Sequence, residues 1–241
     1  MGEVRSRRVG VMGGTFDPVH LGHLRLAEEA VEILGLDALL FVPAAVPPHK
    51  LARSILSFMH RWRMLEIATR DHPRFEVSDV EAQVPGKSYT VITLRKLTEL
   101  YGKEVDLFFI LGLDAFLELD TWWHFEELFG LARMTVLRRP GCDEGGIAQF
   151  LTERVSSQYA RSPDGAGFTH PQLLPVHCLP NTWLDISATR IRRLVSAGRS
   201  IRYLVLTEVM EYIQINRLYQ EEAVGGEPVG RGRCGVGDCA A

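Results

Sequence analysis

Apolar positions along the chain follow two rhythms. Short continuous apolar runs, rich in β-branched residues and closed by Gly or Pro, predict buried strands at "RRVGVM", "ALLFVP", "VDLFFILG", "ARMTVLRRP" and "LLPVHCL", with a shorter one at "FEVSDV". Between them the spacing turns helical. In "LGHLRLAEEAVEILG" the residues Leu21, Leu24, Ala27, Val31 and Leu34 share one face, and Gly35 is placed to end the helix. "SFMHRWRMLEIATR" predicts a helix capped by Ser57, and "SYTVITLRKLTELYG" one capped by Ser88 or Thr90 and running to Gly102. Further helices are predicted at "WHFEELFG", "GGIAQFLTERVSSQYA", "SATRIRRLVSAG" and "TEVMEYIQINRLY".

Strands alternating with helices imply βαβ units: an α/β fold with a Rossmann-like, doubly wound, mainly parallel sheet and helices on both faces. "VDLFFILG", apolar on both faces, predicts a central strand. No repeat or linker interrupts the pattern, so residues 1–219 are expected to form one domain. The stretch 220–241 is rich in Gly, nearly without large apolar groups, and expected to be disordered.

Composition narrows the partners. The 241 residues are 46% hydrophobic and 24% charged, with a net charge of -3, so the basic surplus usual for a duplex nucleic-acid binder is missing. No apolar run is long enough for a membrane span, and "MGEVRSRRVGVM" lacks a signal-peptide core. A cytoplasmic protein without membrane or nucleic-acid partners is expected. Cys142, Cys178, Cys234 and Cys239 form no recognisable zinc or disulfide pattern.

The stretch with most chemistry is "GGTFDPVHLGH", residues 13–23. Gly13 and Gly14 let backbone N–H groups approach a ligand, Asp17–Pro18 makes a turn, and His20 and His23 fall three apart at a helix start. Gly22 between them leaves room for a bulky ligand. Three readings compete: a metal site, a phosphate cradle, or a turn that happens to carry histidines. A zinc site needs a third ligand, and neither a cysteine nor HExxH is at hand. The combination of glycines, imidazoles and a helix N-terminus favours an anion such as phosphate.

A second cluster, "ISATRIR", spans Ile186 to Arg192. Ser187 is placed to cap a helix, Thr189 adds a hydroxyl, and Arg192 a guanidinium, with Arg190 and Arg193 beside it. By itself this is also the pattern of an Arg-rich surface helix.

Together the two clusters resemble the adenylyltransferase superfamily with the HxGH motif, whose second signature has the form ISxTxIR. Residues 8–219 are similar to the bacterial nicotinate mononucleotide adenylyltransferases. That resemblance implies ATP-binding roles for Gly13, Gly14, Thr15, Phe16, His23, Asp114, Ile186, Ser187, Thr189 and Arg192. It implies contacts to the mononucleotide from Asp17, His49, Lys50, Tyr89, Thr90, Trp122 and Trp123, with Trp122 stacked on the pyridine ring. His20, His23, Lys50 and Arg192 would carry catalysis. Two positions depart from the family pattern: Leu206 stands where a Pro is usual, and Ala188 where a second Ser is frequent.

The reaction so implied joins ATP, with Mg²⁺, to nicotinate mononucleotide, giving deamido-NAD and pyrophosphate by direct in-line attack. Nicotinamide mononucleotide and phosphopantetheine are the alternative acceptors. A non-catalytic nucleotide-binding regulator is the reading from another class, and it would be expected to lack His20, His23 or Arg192.

Overall fold

A computed structural model describes residues 6–47, 55–102, 104–138, 145–182 and 184–220. Strands β1 (Arg7–Gly14), β2 (Ala38–Pro43), β3 (Phe75–Val77), β4 (Val105–Gly112), β5 (Arg133–Leu137), β6 (Ala160–Arg161), β7 (Gly167–Thr169) and β8 (Val176–Leu179) form one sheet. The helices are α1 (Leu21–Leu34), α2 (Phe58–Thr69), α3 (Thr90–Tyr101), α4 (Leu113–Leu117), α5 (Phe125–Leu131), α6 (Gly145–Phe150), α7 (Ala188–Ser196) and α8 (Thr207–Ile215).

The strand order is β3-β2-β1-β4-β5-β8-β7-β6. The strands from β3 to β8 run parallel, and β7 and β6 add an antiparallel edge. The period of two along each inner strand feeds two cores. Val9, Val11, Leu40, Leu107, Phe109 and Leu111 face one, beneath α3, α5 and α6. Met12, Leu39, Phe41, Phe108 and Ile110 face the other, against α1, α2, α7 and α8. Helices anchor themselves by short apolar stripes. Val91, Leu94 and Leu97 of α3 are fully buried, each contributing roughly 1.5–3 kcal/mol relative to exposure.

This is the doubly wound sheet expected from the alternation. β1 pairs with both β2 and β4, so the strand order reverses there, and ligands in such sheets gather beyond the carboxyl ends at that reversal. The carboxyl end of β1 is Gly13-Gly14.

Several local expectations change. Ser57 sits before α2 without a capping bond, and Tyr89, rather than Ser88 or Thr90, holds the capping position of α3. Ser88 accepts the Val46 N–H at 3.1 Å instead, tying two loops together. The helix expected to run to Ala160 passes into a π-type turn, Leu151–Val155, and stops there. Tyr159 lies in the core with its hydroxyl on the Leu174 carbonyl, and Ala160 joins the sheet edge. The last helix ends at Ile215, not Tyr219, because Arg217 and Tyr219 turn into the left-handed region. α4, with a 3-10 turn at Leu119–Thr121, and the β6–β7 hairpin were not expected. In that hairpin only glycine fits position 167, where a Cβ would meet the Val176 carbonyl oxygen at 2.0 Å. The Gly-rich stretch from residue 221 lies outside the described residues.

Candidate active site

The site is built where β1 hands over to α1. Phe16 takes a positive φ of 49° and turns its ring inward, where it is 3% exposed. Gly14 makes that turn possible, since a Cβ there would press on the Phe16 ring at 3.0 Å. His20 occupies the capping position of α1, and His23 is the helix's third residue. The His20 backbone N–H donates to His23 Nδ1 at 3.3 Å. The two rings stack at 3.6 Å, and the Phe16 ring stands edge-on to His23 at 5.1 Å.

Burial sets the charge state of the pair. It lowers His20 to about 4, and it lowers His23 well below the ordinary histidine range, helped by His20 beside it. Both rings are therefore neutral near pH 7. A neutral His23 that accepts at Nδ1 carries its proton on Nε2, ready to donate. His20 Nδ1 is buried with no partner among the described residues. A Cβ at Gly22 would lie 3.1 Å from His20 Nδ1, so the glycine makes room for the imidazole.

The second cluster is folded onto the first. Ser187 caps α7 as expected, accepting the Arg190 N–H at 3.2 Å. Arg192 then reaches back one turn to Thr189 Oγ1 at 3.2 Å and across to the Asp17 carbonyl at 2.7 Å. Ile186 packs within 3.8 Å of the space beside Gly22. Ala188 begins α7 and supplies no hydroxyl, leaving Ser187 and Thr189 to do so. Asp114, in the first turn of α4, is exposed beyond the carboxyl end of β4.

A third group flanks this centre. Tyr89 and half-buried Thr90 open α3, where the first N–H groups have no intrahelical partner. Trp123 is 45% exposed and lies 5.0 Å from the Tyr89 ring. Trp122 is half-buried and packs edge-on to Phe109 at 6.4 Å. The more open indole is thus Trp123, although the sequence pattern points first to Trp122. His49 and Lys50 lie outside the described residues.

The carboxylate of Asp17 is 2% exposed and is bonded within the protein. It accepts from the Tyr219 hydroxyl at 2.7 Å and the Leu56 N–H at 3.4 Å. Beneath it Arg61, 1% exposed, donates to the carbonyls of Thr15 at 2.9 Å and Leu56 at 3.0 Å. Burial lowers the Arg61 pKa from its ordinary value, with Asp17 opposing. Glu81, under the start of α3, accepts the Thr93 hydroxyl at 2.7 Å, and burial pushes its carboxyl up. Sequence reasoning passed over Arg61, Glu81 and Tyr219, each a common residue type inside a plain helical pattern or loop. Among the described residues no group of three or more His, Cys, Asp or Glu side chains is arranged to hold a metal, and no helix is long and apolar enough to cross a membrane. A cavity of about 520 Å³ between α7 and α8, lined by Arg199, Arg202, Thr207 and Glu211, contains none of the site residues.

Residues 11–194 match the cytidylyltransferase-like family. The chain is 42% identical over 212 residues to a probable nicotinate-nucleotide adenylyltransferase of Citrifermentans bemidjiense, covering 88% of this chain and 98% of that protein. It is 40% identical over 215 residues to the protein of the same description in Geobacter sulfurreducens, covering 89% and 99%. Among solved structures it is similar to Plasmodium falciparum nicotinic acid mononucleotide adenylyltransferase complexed with NaAD. That likeness has a TM-score of 0.69 at 17% identity, covers 88% of this chain and 97% of the other, and concerns the fold.

Proposed function

The chain belongs to the cytidylyltransferase-like family and, within it, to the nicotinate-nucleotide adenylyltransferases, and on that footing we propose that it transfers the adenylyl group of ATP to nicotinate mononucleotide. The products are deamido-NAD and pyrophosphate. The observation that carries this reading is the meeting of the two clusters. Arg192 donates to the carbonyl of Asp17, 175 residues away, which ties a guanidinium to the loop that leads into the stacked imidazoles and the N-terminus of α1.

The chemistry asks for placement and charge neutralisation more than for proton transfer. An oxygen of the mononucleotide phosphate attacks the α-phosphorus of ATP. The new P–O bond forms as the bond from the α-phosphorus to the bridging oxygen breaks, and that electron pair leaves with pyrophosphate. A phosphate monoester is already ionised near neutral pH, so no general base is needed. His23 Nε2–H is set to donate to charge building on the phosphates, and Arg192 adds a fixed positive charge. The arriving anion favours protonation of both imidazoles, opposing the burial that keeps them neutral in the free protein. Gly13, Gly14 and Thr15 would lie along the phosphates, Asp114 by the ribose, and Ile186, Ser187 and Thr189 on the nucleotide side. His49 and Lys50 are assigned to the phosphate of the second substrate. Mg²⁺ would arrive as part of the substrate, MgATP, held by phosphate oxygens and water.

The pyridine end would dock at Tyr89, Thr90 and the two tryptophans. N–H groups at the start of α3 offer only donors, which suits a carboxylate and leaves an amide NH₂ facing donors. Pyrophosphate release from ATP and Mg²⁺ tests the assignment, with nicotinate mononucleotide, nicotinamide mononucleotide and phosphopantetheine compared. Turnover with the nicotinate substrate is expected to dominate. Turnover with neither pyridine mononucleotide would overturn the reading.

A further inference from the structure

The loop from Thr15 to Asp17 is gripped from three distant parts of the chain. Arg61 of α2 holds the Thr15 carbonyl, Arg192 of α7 holds the Asp17 carbonyl, and Tyr219, beyond α8, holds the Asp17 carboxylate at 2.7 Å. The Leu56 N–H takes the other carboxylate oxygen. Between these anchors Phe16 is buried, and its ring is the surface against which His23 rests. Arg192 and His23, the two groups aimed at phosphate, therefore both take their positions from residue 17 and its neighbour. A carboxylate buried beneath the loop fixes the loop rather than a ligand.

Tyr219 is itself firmly held. It adopts a φ of 61°, uncommon for a bulky side chain, while the adjacent Leu218 is buried in the core under α8. A strained backbone of this kind persists where surrounding contacts over-determine it. Burial and the neighbouring Asp17 push the phenol far above its ordinary range, so it stays a hydroxyl donor.

We infer that Tyr219 is a positioning residue for adenylyl transfer: its hydroxyl, acting through the Asp17 carboxylate, sets where the Thr15–Asp17 loop holds His23 and Arg192. The inference rests on the adenylyl-transfer reading of the site. Reaction geometry is more sensitive to small displacements than ground-state binding is, and about 1 Å of misplacement lowers rates by about 10²-fold. Losing one anchor of three is expected to lower kcat and leave KM nearly unchanged.

The test is Tyr219→Phe in the full chain, which keeps the ring and removes only the donor. The expected result is a fall in kcat of about tenfold at a temperature well below Tm, with KM for both substrates within about twofold. Asp17→Asn keeps the shape but replaces one of the two acceptors, and the negative charge, by an NH₂ donor; it is expected to give the same split. The double variant should fall no further than the worse single variant, as expected of residues acting as a unit. Amide exchange provides a readout apart from activity. The Ala44 N–H, bonded to the Gly14 carbonyl at 2.8 Å, and the His23 N–H should exchange faster in Tyr219→Phe, while β4 amides keep their protection. A lower Tm with unchanged kcat and unchanged exchange at those two amides would overturn the inference and leave Tyr219 a structural residue. If the wild-type protein releases no pyrophosphate, the proposed function fails, and the exchange data still decide whether Tyr219 holds the loop.

Discussion

Arg192 and Asp17 meet through a side chain and a main chain: the guanidinium donates to the carbonyl at 2.7 Å while its other nitrogen holds Thr189 Oγ1 at 3.2 Å. One planar cation thus locks the turn after β1 to the first turn of α7. Lysine places one point charge at the end of a flexible stem and cannot keep both bonds in that geometry. Arg192→Lys is expected to lower kcat/KM by about 10- to 100-fold, less than the roughly 10²- to 10³-fold cost of removing a fixed donor outright, because lysine keeps the charge. Steady-state kinetics beside a melting curve checks this; unchanged kcat/KM in a folded variant would remove Arg192 from the phosphate site.

Gly22 offers a cleaner separation of activity from stability. A methyl there lies 3.1 Å from His20 Nδ1 and 3.2 Å from its Cε1, so the ring must shift by tenths of an ångström. Alanine is also the better helix former, by about 1 kcal/mol. Gly22→Ala is expected to hold or raise Tm while lowering kcat by roughly tenfold, since small displacements weigh heavily on reaction geometry. Full activity would show that His20 has freedom to move without consequence.

The buried imidazoles also make folding sensitive to acid. His20 titrates near 4 in the folded protein, against 6.5 for an unperturbed histidine. Between those values the unfolded chain binds the proton and the folded one does not, so stability falls as pH drops through that window. The difference corresponds to about 3 kcal/mol at most for His20, fully developed only below pH 4. Urea unfolding of the wild type and His20→Gln at several pH values between 7.5 and 4.5 isolates the contribution. The variant is expected to lose less stability on acidification; parallel curves would show that His20 is not buried neutral. In catalysis both histidines should matter, with His23→Ala at least ~10²-fold slower.

How legible was this site? β4, the helix start at Leu21, the Gly35 cap and the Ser187 cap all follow local rules, and local rules are written in short windows of sequence. What escaped depends on tertiary direction. Arg61 lies in "MHRWRM" beside Arg63, and nothing local says that one guanidinium is 1% exposed while its neighbour pairs with Glu66 at the surface. Tyr219 sits in a run that reads as one helix to its end, yet the helix stops at Ile215 so that the phenol can reach Asp17. The hairpin at β6–β7 did carry a local signal, Asp164-Gly165 with Gly165 at φ 71°, masked by the longer helical pattern before it. His20 and His23 were visible as a pair; that the ring of His20 lies against Gly22 was not.

The choice between acid and amide is the finest discrimination the site has to make. Nicotinate presents a carboxylate that only accepts hydrogen bonds, and the N-terminus of α3 at Tyr89 and Thr90 presents N–H donors with a favourable dipole. The amide would leave its NH₂ unpaired against those donors, at roughly 1–3 kcal/mol. At about 1.4 kcal/mol per tenfold, the acid is expected to lead in kcat/KM by roughly five- to more than a hundredfold. The indoles should not decide this, because stacking serves both rings about equally. Trp123, 45% exposed beside Tyr89, and half-buried Trp122 are both in place to contribute. Trp122→Ala and Trp123→Ala are expected to weaken both substrates and to leave their ratio within about threefold of the wild type. Of the two, Trp122→Ala should lower Tm more, since it removes a side chain packed on Phe109. Values of kcat/KM for both mononucleotides in all three proteins test the set. Equal wild-type values would refute the carboxylate argument, and a ratio that collapses in one variant would identify that indole as the discriminating group.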